Sequence, residues 1–421
     1  MKYFYNTSWM FTEQMLRMIA SLLVGIWVAR YLGPEQFGIF SYALAFTAIF
    51  SGIAKLGLDS IIVRDLVNEP DKINIYLGTA FWLKLIGAFI ALGIVAFATL
   101  FTSSDQKTNL YIFIIASGMI FQSFEVIDFY FQSKVLSKYV SLCKITQLLL
   151  SSGLKLYFIL IEADLFWFVI VTVIDQITLA ITFCIAYKYQ KVESFYGHFD
   201  LTIAKKLLRD SWPMIFSSIV IMLYMRVDQI MIKEMLTDKE VGLYSTAVRL
   251  SEVWYFIPAI ITSSLFPAII GSKKINTELY YIRLQRTYTL MVWMALAVAI
   301  PMTLLSDWLV VLLYGTVYKE AGAVLMIHIW SGIFVFFGCA KGKWLLIENM
   351  QKYGLICTSI GAISKIILNY VLIGRMGIIG AALATCLTHI ILAIIIPLCF
   401  YKDRISVVMF FKTFLLRNIR T

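Results

Sequence analysis

Nine basic and seven acidic side chains fall inside long apolar runs of this sequence. They are Arg17, Lys55, Lys84, Lys155, Arg226, Arg249, Lys341, Lys343 and Lys365, with Glu13, Asp59, Glu125, Asp128, Asp175, Asp228 and Glu252. An ionised group facing hydrocarbon at a bilayer centre costs about 3 kcal/mol or more, so these groups must pair with one another or line a wet cavity. Glu13 and Arg17 stand four apart, as do Lys55 and Asp59, while Arg249 and Glu252 stand three apart. Those spacings put each pair on one helical face, for mutual neutralisation or for contact with a bound molecule. Lys84, Lys155, Lys343 and Lys365 have no partner on their own helix. They either snorkel to the interface or give a cavity a positive lining, which suits an anionic ligand. Glu125 and Asp128 are three apart on one run. Like charges so placed favour taking up H+ or Na+; the other reading is that each pairs with a lysine of a neighbouring run. Asp175 stands alone in its run and is a second candidate for a coupling ion. Arg226 and Asp228 point to different faces, so one faces a ligand while the other braces the bundle.

Other chemistry is missing. GCAKGKW (338–344) has the wrong spacing for a phosphate loop and no Ser or Thr after its lysine. His198, His328 and His389 are far apart with no carboxylate at ligand spacing, so no metal site is expected; His328 and His389 remain polar residues inside runs. No GxSxG is found, and no paired acidic motif lies in a large loop. Cys143, Cys184, Cys339, Cys357, Cys386 and Cys399 all sit in apolar runs without a CxxC, and read as small buried hydrophobes. Neither cofactor nor metal is expected, beyond H+ or Na+ as a coupling ion.

The elements that hold these charges follow from composition. Of 421 residues, 61% are hydrophobic and 14% charged, against about 25% charged in an ordinary soluble domain. A globule this apolar cannot cover its own surface, so lipid is its solvent. The net charge of +11 would suggest nucleic acid in a soluble protein; here it reads as basic loops that set membrane orientation. A span needs about 20 apolar residues. Twelve runs qualify, near 9–31, 39–60, 77–100, 110–132, 140–161, 165–187, 212–232, 241–269, 288–305, 321–347, 354–373 and 377–400. The first lacks a small-residue cleavage site and reads as a retained span rather than a signal peptide. The longest linkers are 188–211 and 271–288. With alternating sides and a cytosolic N-terminus, twenty Lys and Arg fall on the cytosolic side and six opposite, so both ends are placed in the cytosol. The cytosolic set includes Arg417 and Arg420 of a tail that is too short to span and suits an interfacial helix. Proline inside the spans (Pro213, Pro258, Pro267, Pro301, Pro397) reads as kinks.

An internal repeat divides the chain. LGPEQFGIFSYA (32–43) aligns with LTDKEVGLYSTA (236–247), so that Gly38, Ser41 and Ala43 face Gly242, Ser245 and Ala247. Lys138, Tyr139 and Cys143 echo Lys352, Tyr353 and Cys357. Both matches fall at the same point of a six-span half. Halves of six spans share orientation and are related by an axis along the membrane normal, an arrangement common in transporters. The expected fold is all-α and integral to the membrane. It has about twelve transmembrane helices: a six-helix lobe (1–190), an inter-lobe linker (191–211), a second six-helix lobe (212–400) and a basic tail (401–421).

Six stretches carry a family likeness: VARYLGPEQFGIFSYALAF (28–46), FEVIDFYFQSKVLSKYVSLCKI (124–145), MRVDQIMIKEMLTDKEVGLYSTAVRLSEVWYFIPAIITSSLFPAI (225–269), LLYGTVYKEAGAVL (312–325), GKWLLIENMQKYG (342–354) and MGIIGAALAT (376–385). In order and spacing they resemble the polysaccharide export and lipid-linked oligosaccharide flippase family, the O-antigen flippases of Gram-negative bacteria. The resemblance implies the two-lobed fold of multidrug-extrusion and lipid II flippase relatives, alternating access, and a bacterial inner-membrane location. It also implies an undecaprenyl-pyrophosphate-linked oligosaccharide as substrate, ion antiport as energy source, and basic cavity residues that meet the pyrophosphate. Membrane lipid and other polysaccharide-assembly membrane proteins are the implied partners. Arg226 and Asp228 lie in the segment of greatest likeness. Arg17, Lys55, Arg249, Lys341, Lys343 and Lys365 complete the cationic candidates, and Asp59, Glu125, Asp128 and Asp175 the acidic ones.

Two other readings compete. A drug or metabolite antiporter of the same fold should have a more acidic cavity than nine cations against seven anions provide. A polymerase or ligase of the same lipid-linked sugars needs a sizeable non-cytosolic loop, and the linkers on that side are short.

Overall fold

Long apolar runs satisfy their backbone in lipid only as helices or closed barrels. The computed structural model, which describes residues 2–415, is helical almost throughout, with no strand among the described residues. It divides into two compact units, residues 1–226 and 227–421; Arg417 and Arg420 lie outside the described residues.

The first unit holds α1 (Lys2–Lys55), α2 (Asp59–Asn68), α3 (Ile73–Ala98), α4 (Gln106–Ser117), α5 (Val126–Ser133), α6 (Ser137–Leu160), α7 (Leu165–Tyr189) and most of α8 (Leu201–Met235). The second holds the end of α8, then α9 (Asp238–Glu252), α10 (Phe256–Ile275), α11 (Thr277–Tyr314), α12 (Ala321–His328), α13 (Ser331–Ile347), α14 (Gln351–Ile390), α15 (Ile396–Cys399) and α16 (Arg404–Lys412).

Ten helical stretches are long and apolar enough to cross a membrane. Two of them, Ser8–Asn68 with 61 residues and Gln351–Cys399 with 49, exceed the roughly 20 residues of one crossing more than twofold. Both bend at a glycine with positive φ, Gly33 (φ 72°) and Gly377 (φ 59°). That backbone is open to glycine and costly for other residues. After Gly33 the chain restarts on Pro34, whose fixed φ suits a first helical turn. Each long stretch therefore has two helical arms, each with about the length that one crossing needs.

Three local expectations change. Lys55 and Asp59 do not share a helix: Leu56 (φ 55°) and Gly57 (φ 58°) end α1, and α2 begins at Asp59. The 188–211 linker is irregular only around 190–200. Asp200 then caps α8 by accepting the Ile203 (2.9 Å) and Thr202 (2.7 Å) amides. The Ile203 amide first, then that of Thr202, holds its carboxyl below the usual range. Between 271 and 288 the helix is interrupted only at Asn276, whose side chain caps α11. The tail helix α16 packs Val407, Met409 and Phe410 into the second unit, with Phe410 against Phe337 at 5.0 Å and Phe334 at 5.9 Å.

Each unit has its own core. In the first, Leu77, Ala80 and Phe81 of α3 meet Val126, Ile127 and Phe131 of α5 and Phe195 of the linker. α3 approaches the linker so closely at Gly78 that a Cβ there would lie 2.0 Å from the His198 carbonyl oxygen and 2.3 Å from that of Phe195. In the second, Tyr288, Met291 and Val292 of α11 meet Phe336, Phe337 and Trp344 of α13.

Candidate functional site

The charges inside the spans gather into four clusters, two in each unit. In the first unit, Lys84 is fully buried on α3 and donates to Glu125 Oε2 at 2.9 Å. Its ammonium also lies 5.0 Å from the centre of the Phe129 ring, a favourable seat for a cation. One helical turn on, Asp128 pairs with Lys144 at 3.3 Å and accepts from Gln132 Nε2 at 2.9 Å. Asp59 is exposed, and its charged neighbours are Lys84, Glu125, Lys55 and Asp128. Three carboxylates and three lysines from α1, α2, α3, α5, α6 and the 3-10 turn 118–125 thus balance one another. Glu125 and Asp128 each have a lysine from another helix as partner.

The second cluster joins the first span to α6 and α7. Arg17 pairs with Glu13 at 2.6 Å, as their spacing requires. Lys155 on α6 donates to Ser151 at 2.8 Å and lies 3.6 Å from Asp175 on α7. Arg17 is a charged neighbour of the same Asp175. Asp175, solitary in its own span, has cations on two others.

The second unit is built differently. Asp228 Oδ2 accepts from Tyr244 Oη at 2.6 Å, Lys365 Nζ at 2.9 Å and Thr385 Oγ1 at 3.2 Å, while Oδ1 accepts from Asn369 at 3.0 Å. No member of this cluster is more than 3% exposed. Lys365 and Asn369 stand four apart on one arm of α14 and Thr385 is on the other, so the bend at Gly377 closes the ring around Asp228. His328 meets Ser251 at 3.0 Å nearby, and His389 has Lys365, His328 and Asp228 as charged neighbours. Of the Arg226–Asp228 pair, Asp228 is the member sealed inside the second unit. Arg226, partly buried, is the last residue of the first unit.

In the fourth cluster Lys341 pairs with fully buried Asp403 at 2.7 Å. Asp403 also accepts from Tyr353 at 2.8 Å and Ser406 at 2.6 Å. Lys341 thus ties the tail to α13 and α14. Lys343 lies over the Phe266 ring at 5.2 Å. Arg249 has Tyr314 and Tyr318 as electrostatic neighbours, and Glu252 has Tyr244 and Tyr255. Lys55 and Asp59 form no direct ion pair among the described residues.

Sequence reasoning missed Lys144, Tyr244, Asn369, Thr385 and Asp403. Asn369 and Thr385 carried a usable signal, being neutral polar residues in otherwise apolar spans. Lys144 went uncounted near the start of the 140–161 run, and Asp403 lies just beyond the last run. No group of three metal-capable side chains occurs among the described residues.

The comparisons with known proteins agree with this architecture. A family model described as polysaccharide biosynthesis protein matches residues 4–273, and a MatE model matches residues 213–371. A probable low-salt glycan biosynthesis flippase of Haloferax volcanii, Agl15, is 24% identical over 86% of this chain and 75% of its own length. The capsular polysaccharide biosynthesis protein CapF of Staphylococcus aureus is 21% identical over 94% of this chain and 98% of its own. Among solved structures, an inward-facing multidrug resistance MATE transporter of the MOP superfamily aligns with a TM-score of 0.73 at 16% identity, covering 94% of this chain and 96% of that one. Lipid II flippase MurJ aligns with 0.72 at 15%, covering 96% and 90%. At such identities the structural likeness is one of fold: the multi-pass helical fold of the MOP superfamily.

Proposed function

Because this chain belongs to the polysaccharide biosynthesis protein family, we propose that it is a membrane transporter, a flippase, that moves an undecaprenyl-pyrophosphate-linked oligosaccharide between leaflets by alternating access. The sugar–pyrophosphate head cannot cross about 30 Å of hydrocarbon unaided. Lysine and arginine offer it charge-assisted hydrogen bonds, while the polyprenyl tail stays in lipid.

The observation that carries the reading is the six-charge cluster of the first unit. Asp59 is exposed and Lys55 partly so, and Lys84 and Lys144 are held on carboxylates of the same cluster. An incoming phosphate competes with Glu125 and Asp128 for those ammonium groups. A carboxylate so released takes up H+ or Na+, which couples cargo to an ion gradient. Arg17 and Arg226 are the further cationic candidates of the first unit, and Arg249 one of the second. In this reading the protein resides in the bacterial inner membrane with both termini cytosolic, carries an O-antigen or similar repeat unit, and hands it to other assembly proteins.

Reconstitution into liposomes with labelled polyprenyl-pyrophosphate oligosaccharide tests this, with and without a proton gradient. Transfer should be gradient-stimulated in the native chain and lost in Lys84→Met. A well-folded native sample that moves no lipid-linked sugar would sink the proposal. The MatE match supports a second reading, a small-molecule antiporter, and gradient-driven export of a cationic dye from the same liposomes would favour it.

A further inference from the structure

The first three turns of α8, residues 201–212, have two unlike faces. Inward, Ala204, Leu207 and Ser211 are buried, and Lys206 is tied to Tyr76 at 2.9 Å and Asp65 at 3.3 Å. Outward lie Leu201 (61% exposed), Leu208 (40%) and Trp212 (65%), with exposed Lys205 and Arg209 between them. Lys205 and Arg209 are one turn apart on the same face. Neither has an ion-pair or hydrogen-bond partner among the described residues, whereas Arg64, Lys72 and Lys206 of the same unit each have one.

The length of α8 sets the depth of this face. The helix has 35 residues. Those after Trp212 already cover about 34 Å at about 1.5 Å per residue, enough for a hydrocarbon core of about 30 Å. Trp212 then marks the edge of the core, where amphipathic aromatics collect. Along the axis Arg209 lies about 4.5 Å and Lys205 about 10 Å further out, against a headgroup layer about 6 Å deep or slightly more. Pro213 cannot donate to the Arg209 carbonyl, so these turns are free to tilt toward the membrane surface. Water would leave three large apolar side chains exposed, and zwitterionic lipid, whose phosphate is balanced by its own ammonium, would offer two cations no net counter-charge.

We propose that this face binds anionic phospholipid. Leu201, Leu208 and Trp212 enter the acyl boundary, and Lys205 and Arg209 hold the lipid phosphate and its anionic headgroup. The inference needs only a membrane-spanning chain; the identity of the cargo does not enter it.

The test is native mass spectrometry of the full chain released from mixed micelles of phosphatidylglycerol and phosphatidylcholine. The native chain should retain phosphatidylglycerol preferentially, and less so at high salt. In Lys205→Gln/Arg209→Gln that preference should fall about fivefold per charge removed. Lys107→Gln/Lys319→Gln loses the same charge elsewhere and should keep it, as should Arg209→Lys. An unchanged preference in the Lys205/Arg209 variant overturns the proposal, as does an equal loss in the Lys107/Lys319 control. Should the first variant unfold in neutral detergent, brominated phosphatidylglycerol decides. It should quench a fluorescence component that Trp212→Phe lacks, and equal quenching of both proteins overturns the proposal.

Discussion

The two units build a polar cluster from equivalent helices and end with opposite results. In each, an early helix meets two later helical arms: Glu13 and Arg17 of α1 with Lys155 of α6 and Asp175 of α7 in one, Asp228 at the end of α8 with Lys365 and Thr385 on the two arms of α14 in the other. Lys155 and Asp175 stand 210 positions before Lys365 and Thr385 respectively. In the first unit the Lys155–Asp175 separation is 3.6 Å and both side chains are about one-fifth exposed. In the second the ion pair is 2.9 Å and sealed, with neutral donors on the remaining carboxylate positions. A buried pair so satisfied cannot release one partner cheaply, whereas a half-open pair can exchange a partner for water, an ion or a phosphate. The first unit also holds Lys84–Glu125 and Lys144–Asp128, where the second has an aromatic core around Tyr288 and Phe337. Within the spans each ion pair of the first unit thus keeps a partly exposed partner, the arrangement expected of a responsive unit, while those of the second are sealed.

The largest effect should come from breaking the sealed pair. Lys365→Met or Asp228→Asn alone strands a group in a dry interior and should cost about 3–5 kcal/mol. The double variant should recover most of that, and thermal unfolding in detergent completes the cycle. Independent losses that simply add would contradict a sealed, mutually dependent pair.

Next is packing within the responsive unit. Gly78→Ala drives a methyl into two carbonyl oxygens and should cost about 1–3 kcal/mol. Gly153→Ala, with nothing within 4 Å of its Cβ, should leave the melting temperature unmoved or slightly raised. Equal shifts would mean that the linker yields.

Sharper still is the contrast between stability and transport. Asp59→Asn removes an exposed carboxylate and should change stability by about 0.5 kcal/mol or less, yet displace the pH profile of lipid-linked sugar transfer. An unmoved profile would take Asp59 out of the coupling cluster.

The smallest effect lies at Glu69, outside the spans. Its hydrogen bond from Lys72 first, then from Tyr76, holds its carboxyl down to about 2 from an ordinary 4.5. A depressed carboxylate stabilises the fold fully above its unfolded value, and that stability is lost as pH falls toward the folded value. The melting difference between native protein and Glu69→Gln should therefore be slight at pH 7, narrow below about 4.5, and vanish near 2. A difference that widens on acidification would reverse the assignment.

Much of the fold is legible in the residues because lipid leaves few choices. The apolar runs became helices, ten stretches of which are long and apolar enough to cross a membrane among the described residues, and the Gly33–Pro34 and Gly377 bends fall at the junctions of neighbouring runs. The repeat is legible for a similar reason: Ser41 and Ser245 are both buried just after a helix break. The site is legible only in kind. Glu13 and Arg17 pair as their spacing says, since both partners share one helix. Lys55 and Asp59 do not, because a turn with two left-handed residues comes between them.

By itself the sequence determined the solvent, the helical spans and the fact that charges inside them must be neutralised, since these follow from composition and from the cost of bare charge in hydrocarbon. Which lysine serves which carboxylate was decided by tertiary structure. Lys84 meets Glu125 across 41 positions and Asp228 meets Lys365 across 137. Such pairings depend on which helix faces come together, and that is a property of packing between elements, beyond any one element's own periodicity.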